Sequence, residues 1–534
     1  MVVPELRPWR AAGPHVVRLA NAVRPRLARV AAAAKPRVAR ITRAVGPRLA
    51  GPGGLARPRS LKTWQYTAGA ATAGLALAAG VVSAAGPWDA NGQRTAERER
   101  AVALERPGGA DHGGDSDKVA DGPRPAPSAA SVLTSLGGTA QKVRSAPTGK
   151  ALANVLDPLL DDPALGGSHT AAVVDVASGG RLYGTGADTA LTPASTTKIA
   201  TAVAALSALG ADHRLTTRTA LEPDTKELVL VGGGDPTLTA HSKAEGWASL
   251  RTLARDTAEA LRRRGVRQVT LSYDTTLYTG PVLHPIGVND NLAPVSALMT
   301  DEGRTDGSNS GPVTRVADPA ADAVGKFAGF LKDAGIKTTH PGPSKATGRA
   351  TALASVGSPP LSDLVERMLT NSDNDIAEAL ARQTALASGR PASFDGGAAA
   401  IAAQLKKLGL PMKGASFHDG SGLNRNDRLT ANLLTALLVE AGSATHPGLR
   451  PVLTGLPVAG FTGTLSSRYA DGAAGVVRAK TGTLTGVNTL AGTVVDRDGR
   501  LLAFAFLAAN TTDPVAAQTA LDKTATALAG CGCR

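Results

Sequence analysis

The amino-acid sequence predicts an α/β sandwich, an antiparallel sheet flanked by helices, with an α+β region inserted into it. Three observations carry this. "HTAAVVDVASGGRLYG", from His169, alternates about Gly179-Gly180 and reads as a β-hairpin. "GVVRAKTGTLTGVNTLAGTVVDRDGRLLAFAFLAAN", near the C-terminus, reads as three antiparallel strands, the last pair joined at Arg497-Asp498-Gly499. Helical periodicity lies before and after those strands, and a closing helix is expected over 513–529.

With 534 residues the chain is too long for one ordinary domain. Its charge is also unevenly spread. Residues 1–63 hold 14 Arg and Lys against one acid, Glu5, so almost all of the formal +14 sits there. The high pI therefore describes a tail and implies no nucleic-acid partner. That tail repeats at eleven-residue intervals, with "PHVVRL" from Pro14, "PRLARV" from Pro25, "PRVARI" from Pro36 and "PRLAGP" from Pro47. Basic, proline-punctuated and almost free of acids, it is expected to be largely disordered. Two readings stay open for it: Arg-rich amphipathic turns on an anionic membrane surface, or a solvated tail that only sets topology.

Residues 64–88 contain an uncharged run from Thr67 to Gly86, with Trp64 and Tyr66 at one end and Trp88 at the other. That length suits a helix crossing a bilayer, and the aromatics suit its interfaces. The Arg/Lys excess on the N-terminal side orients the N-terminus to the cytoplasm and the rest outside. A transmembrane signal-anchor is expected; cleavage after "VVSA" would make it a signal peptide, and both readings export the chain. A buried globular helix is the bland alternative. Residues 89–150 are charged and rich in Gly, Pro and Ser, as a disordered linker is. Cys531 and Cys533 are the only cysteines. A Cys-x-Cys tail can bind metal or close a tight bridge; two ligands are too few for a metal site, and an idle tail is the expectation.

The globular part starts near 151. In "LTPASTTKIATAVAAL", Thr192 suits a helix N-cap, Pro193 the first helical position, and Ile199, Val203 and Leu206 an apolar stripe. This places Ser195 in the first turn and Lys198 one turn on. Residues 218–345 change character and read as the inserted α+β region, leaving 151–217 and 346–534 as one catalytic domain. "DLVERMLTNSDNDIAEALARQTAL" reads as helix, broken around Ser372-Asp373-Asn374 by residues that favour caps and turns.

Three motifs bear chemistry. Ser195-x-x-Lys198 is the chain's only Ser-x-x-Lys; a serine needs an adjacent base, and a lysine serves when burial or a neighbouring cation loosens its proton. Ser372-Asp373-Asn374 alone would be a helix break. Lys480-Thr481-Gly482 alone would be an exposed strand lysine before a turn. In this order the three form the motif set of penicillin-binding proteins and class A β-lactamases.

The chain thus resembles the serine penicillin-recognising enzymes. Among these it is most similar to the D-alanyl-D-alanine carboxypeptidase/endopeptidase family, the class C low-molecular-mass penicillin-binding proteins. The resemblance covers about 150–530, and "GGGDPTL" (232–238), "APVSALMTDEG" (293–303) and "HDGSGLNRND" (418–427) narrow it. The long interval from Ser195 to Ser372 leaves room for the domains this family inserts there. The implied fold is a β-lactamase/transpeptidase-like sandwich. The implied roles make Ser195 the acylated nucleophile, Lys198 its base, and Ser372 a proton relay to the leaving amine. Asn374 would bind substrate backbone or orient Lys198. Lys480 would supply positive potential and attract the substrate carboxylate, held by Thr481 and Thr483. Gly482 completes that strand motif. The N–H groups of Ser195 and Thr483 would form the oxyanion hole. Ser421 belongs to a loop that shapes the substrate-binding side; Asn424 departs there from the serine the family pattern carries.

The resemblance implies a bacterial serine-type D-Ala-D-Ala carboxypeptidase/endopeptidase acting on peptidoglycan stem peptides and trapped by β-lactams, with no cofactor and no metal. Two other readings stand beside it: a β-lactamase or esterase on the same scaffold, without the class A Glu-x-x-Leu-Asn element, or a non-catalytic cell-wall or β-lactam sensor. The nine histidines include no His-Glu-x-x-His, and no Gly-rich Lys-Ser/Thr loop suggests a nucleotide.

Overall fold

A computed structural model describes residues 147–469 and 472–532. The expectations for the basic tail 1–63, the apolar segment 64–88 and nearly all of the linker lie outside the described residues. Among the described residues, no helix is long and apolar enough to cross a membrane.

Helix α1 (Gly149–Leu160) opens this region; the Thr148 hydroxyl caps it by accepting from Ala151 N–H. Strands β1 (Ser168–Asp175) and β2 (Arg181–Thr185) form the expected hairpin. A short strand, β3 (Ala190–Leu191), leads through the Ser195 turn into α2 (Thr197–Leu209). The insertion then supplies β4 (Thr216–Leu221), β5 (Glu227–Val231), α3 (Leu250–Arg263), β6 (Gln268–Asp274), α4 (Pro319–Asp333), β7 (Lys337–Pro343) and β8 (Thr351–Gly357). Next come α5 (Leu361–Asn371), α6 (Asn374–Ala387), α7 (Phe394–Lys407), β9 (Leu429–Thr430), α8 (Ala431–Gly442) and α9 (Pro451–Thr454). Strands β10 (Val477–Leu484), β11 (Val487–Val495) and β12 (Leu501–Ala509) precede the closing helix α10 (Pro514–Ala529).

The main sheet is antiparallel throughout, in the order β10-β11-β12-β1-β2. Pairing of Ser168 with Ala509 joins the two ends of the catalytic domain. The sheet is covered on both faces, and the two-residue period of a strand sorts its side chains between them. From β12, Phe504 and Phe506 pack against α1 and α10, while Ala503, Ala505 and Leu507 face the layer of α2, α5, α6 and α8. Each fully buried phenylalanine of this kind contributes about 1.5–3 kcal/mol. Cys531 belongs to the α1/α10 layer, where it is buried and disulfide-bonded. Burial of Cys531 corrects the expectation of an idle tail at that residue; Cys533 lies outside the described residues.

The insertion has its own core and its own sheet, in the order β7-β6-β5-β4-β8. Crossover helices α3 and α4 make β5–β6 and β6–β7 parallel; the other two pairings are antiparallel. Strand β8 pairs with β4, so the insertion continues to residue 357, and the boundary expected at 345/346 is corrected accordingly. The reason is legible afterwards: β8 is a largely exposed edge strand, and its sequence carries little apolar pattern. Between β6 and α4, residues 275–318 contain no regular element beyond a 3-10 turn at Asp301–Gly303. A connection that long in a compact fold usually has a task.

Candidate active site

The chain leaves β3 and turns sharply at Pro193 and Ala194, whose φ is 48°. Residues Ala194–Thr196 form a 3-10 turn, and the α-helix proper begins only at Thr197. Thr192 therefore does not cap it, contrary to the sequence expectation; its hydroxyl donates to the Arg425 carbonyl and accepts from Arg428. What fixes the Ser195 turn is the Pro193 carbonyl, which accepts from the hydroxyls of Thr196 (2.7 Å) and Thr489 on β11 (2.8 Å). Gly482 completes the fit. A β-carbon there would stand 2.1 Å from Thr489 Oγ1, 2.7 Å from the Pro193 carbonyl and 3.1 Å from the Ser195 nitrogen. Only a glycine lets β10 lie against the nucleophile's amide.

Lys198 follows on the first turn of α2 and is completely buried. Its Nζ lies 3.1 Å from Ser195 Oγ, 2.6 Å from Asn374 Oδ1 and 2.7 Å from the Ser421 carbonyl. A neutral amine has two N–H donors and one lone pair. The amide and carbonyl oxygens accept only, so they take both donors, and the lone pair is left for the Ser195 hydroxyl. Burial pushes the Lys198 amine down to about 8, against the opposing pull of Asp419, Asp373, Glu378 and Asp375.

The Ser372-Asp373-Asn374 break is built residue by residue. Ser372 ends α5 in the left-handed region (φ 59°), its N–H returning to the Met368 carbonyl. Asp373 caps α6 by accepting from Ile376 N–H. Asn374 is the first residue of α6, and its Nδ2 donates to the Asn291 carbonyl, which turns Oδ1 toward Lys198. Holding a serine at positive φ costs about 1–3 kcal/mol. The result is that Ser372 Oγ meets Lys480 Nζ at 2.8 Å.

Lys480 projects from β10 and is also fully buried; its second acceptor is the Thr481 carbonyl (2.7 Å). Burial, then the neighbouring Lys198 and Arg468, hold its amine well below the ordinary lysine value. This bears on the role implied for it, since without a nearby negative charge Lys480 is itself a reluctant cation.

Ser195, Ser372, Asn374, Thr481 and Thr483 line one cavity of about 350 Å³. Lys198 and Lys480 sit directly beneath, through their bonds to Ser195 and Ser372. Ser421 does not reach the cavity. Its side chain is buried, with the hydroxyl donating to Asp419 Oδ2 (3.1 Å), so its contribution is the carbonyl on Lys198. The expectation of Ser421 as a substrate-binding group is corrected to that extent. The sequence reading also missed Asn291, Arg304 and Arg315, which the insertion contributes to the cavity wall, together with Leu423, Thr464 and Leu484. Thr464 Oγ1 accepts from Thr481 Oγ1 at 3.0 Å. The "APVSALMTDEG" stretch was the available signal for the insertion's part, yet nothing local ties it to Ser372.

A serine hydroxyl on a buried lysine whose proton burial loosens, with a second lysine-serine pair across one cleft, defines an acyl-transferring serine hydrolase of the penicillin-recognising class. The comparisons with known proteins make this specific. The chain belongs to the D-Ala-D-Ala carboxypeptidase 3 (S13) family, which it matches over residues 152–311 and 304–529. It is 40% identical over 404 residues to the carboxypeptidase DacB of Mycolicibacterium smegmatis, covering 72% of this chain and 85% of that one. To the D-alanyl-D-alanine carboxypeptidase of Actinomadura it is 31% identical, covering 65% of this chain and 79% of that one. Among solved structures, penicillin-binding protein 4 of Haemophilus influenzae shares the fold, with a TM-score of 0.58 at 22% identity over 70% of this chain and 98% of that one. Family membership makes the protein a D-Ala-D-Ala carboxypeptidase, a hydrolase.

Proposed function

We propose the following division of labour. The C-terminal carboxylate of the stem peptide enters against Thr481, Thr483 and Lys480. A negative charge at that distance favours the ammonium form, so substrate itself restores the Lys480 charge that burial discourages. That cation in turn disfavours a proton on Lys198. Ser195 Oγ attacks the carbonyl carbon of the penultimate D-Ala, and its proton passes to Lys198 Nζ. The carbonyl oxygen becomes an oxyanion held by the N–H groups of Ser195 and Thr483, a contribution of about 2.7–4 kcal/mol per donor. The C–N bond then breaks as the proton held on Lys198 passes by way of Ser372, in contact with Lys480, to the departing amine, which leaves Lys198 neutral again and Ser372 with its hydroxyl proton. Water, deprotonated by Lys198, hydrolyses the ester and frees Ser195.

The observation that carries this reading is the bonding of Lys198, whose two accept-only partners take both N–H groups of the neutral amine and so direct its lone pair at Ser195. The basic tail and the apolar segment 64–88 support an exported, membrane-anchored enzyme with its N-terminus cytoplasmic, released if that segment is cleaved. The test is release of D-Ala from a short D-Ala-D-Ala peptide by the purified protein. Release that vanishes in Ser195→Ala is expected. No release despite acylation by a penicillin would favour a sensor, and rapid repeated hydrolysis of the penicillin would favour a β-lactamase. Extraction of the full chain by detergent but not by salt checks the anchor.

A further inference from the structure

The long irregular segment between β6 and α4 does more than wall the cavity. It sends His284 into the catalytic domain, where the ring is 3% exposed and lies 3.0 Å through Nε2 from Asp419 Oδ2. Its tautomer follows from the neighbouring bond. The Ile286 N–H donates to Nδ1 (3.2 Å), so Nδ1 carries the lone pair and Nε2 carries the proton given to Asp419. Phe394 packs edge-on against the ring, 5.1 Å between centroids, which limits its rotation.

Asp419 is the knot of the loop beneath the nucleophile. Oδ1 accepts from Gly422 N–H (2.7 Å), and Oδ2 from Asn424 N–H (2.7 Å) and the Ser421 hydroxyl. Glu378 on α6 takes the N–H groups of Gly420 and Ser421 at 3.0 and 2.9 Å. The loop touches the catalytic elements at both glycines. A β-carbon on Gly422 would meet the Ala194 carbonyl at 1.9 Å, and one on Gly420 would meet Ala381 Cβ at 2.6 Å. No slack separates this loop from the Ser195 turn, and the Ser421 carbonyl at its centre is one of the two acceptors that orient Lys198. The other, Asn374, is turned by the Asn291 carbonyl of the same segment.

We infer that His284, supplied by the inserted region, is a positioning residue for Lys198: by holding Asp419 it fixes the Ser421 carbonyl, and so the direction of the amine's lone pair toward Ser195. The insertion is then part of the catalytic apparatus and not an appended module. The charged groups around Lys198 are Asp419, Asp373, Glu378, Asp375 and Lys480. His284 reaches that set through Asp419 and touches no substrate. His284, Glu378 and Asp419 also bring ligand atoms within 4.8 Å of one another, as a metal site would. Backbone N–H groups and Arg382 already occupy those carboxylates, however, which favours the hydrogen-bonded role.

This rests on the proposed role of Lys198, and wild type in the same assay separates the two: a wild type neither acylated by penicillin nor releasing D-Ala refutes the catalytic reading first. The purified full chain is compared with His284→Ala and with His284→Gln, whose amide N–H replaces Nε2–H. Each is normalised to active sites by stoichiometric penicillin labelling. In His284→Ala, kcat for D-Ala release should fall by about a hundredfold with KM little changed, as a small misplacement of a reacting group does. The acid limb of the pH–rate profile should move by at least about half a pH unit, and His284→Gln should recover most of both. Unchanged kcat and limb in His284→Ala would overturn the proposal. So would a Gln variant no better than Ala, a loss that merely tracks the folded fraction, failure of both variants to fold, or one bound metal per chain in wild type.

Discussion

Deprotonating the base by raising pH gives the most direct physical check on Lys198. An ordinary lysine, near 10.4, is neutral in about one molecule in 2,500 at pH 7. Burial brings Lys198 to about 8, where about one in ten is neutral at pH 7, a gain of roughly 250-fold in competent enzyme, or about 3 kcal/mol. The sign follows from the mechanism. Lys198 works as a base, so activity is lost as pH falls through its pKa and is full above it. The second-order rate of acylation by a penicillin, followed from about pH 5.5 to 9.5, should climb tenfold per unit at the acid end and level off near pH 8. Acylation avoids any deacylation limb, so the acid side reports Lys198; Lys480, whose proton burial also loosens, acts with the opposite sign and can only lower the rate toward the alkaline end. A flat profile across this range would refute the reasoning, because Lys198 would then not be the proton acceptor. A rate still climbing tenfold per unit at the alkaline end would refute it too, because burial would not have loosened the proton.

Two substitutions test the finer geometry. Ser421→Ala should cost about 1.5–3 kcal/mol of stability, the worth of one hydrogen bond to a charged group, with KM for the peptide unchanged; a large rise in KM would restore Ser421 to the substrate-binding groups. Gly482→Ala forces a β-carbon to 2.1 Å from Thr489 Oγ1. Overpacking of that kind costs about 1–3 kcal/mol, and it should abolish acylation in whatever fraction folds. Normal penicillin labelling of folded Gly482→Ala would show that the Ser195 turn has more room than described.

Much of this was readable in the chain because the motifs use residues in their ordinary structural roles. Ser372 ends a helix, Asp373 caps the next and Asn374 starts it, so the break that betrays the motif is also what aims it. Lys480 lies on a predicted strand because β10 belongs to a sheet covered on both faces, whose β11 and β12 read as near-continuous apolar runs. What stayed hidden follows equally from physics. The Ser421 carbonyl that orients Lys198 is a backbone group and has no letter of its own. Thr192 has the residue type of a cap, yet the left-handed Ala194 delays the helix. The insertion's contribution could not be placed, because His284 and Asn291 reach Asp419 and Asn374 only through tertiary folding. Nothing in the spacing of residues 275–318 reports where that irregular segment will lie. Strand β8 escaped for the opposite reason, being exposed at a sheet edge.

The central claim is that Ser195 forms the covalent intermediate, and mass spectrometry of peptides from the penicillin-treated protein tests it most directly. The account predicts one adduct of the antibiotic's full mass on the peptide carrying Ser195, absent from Ser195→Ala and slow to form in Lys198→Ala. An adduct on any other residue, or none in a correctly folded protein, would contradict it.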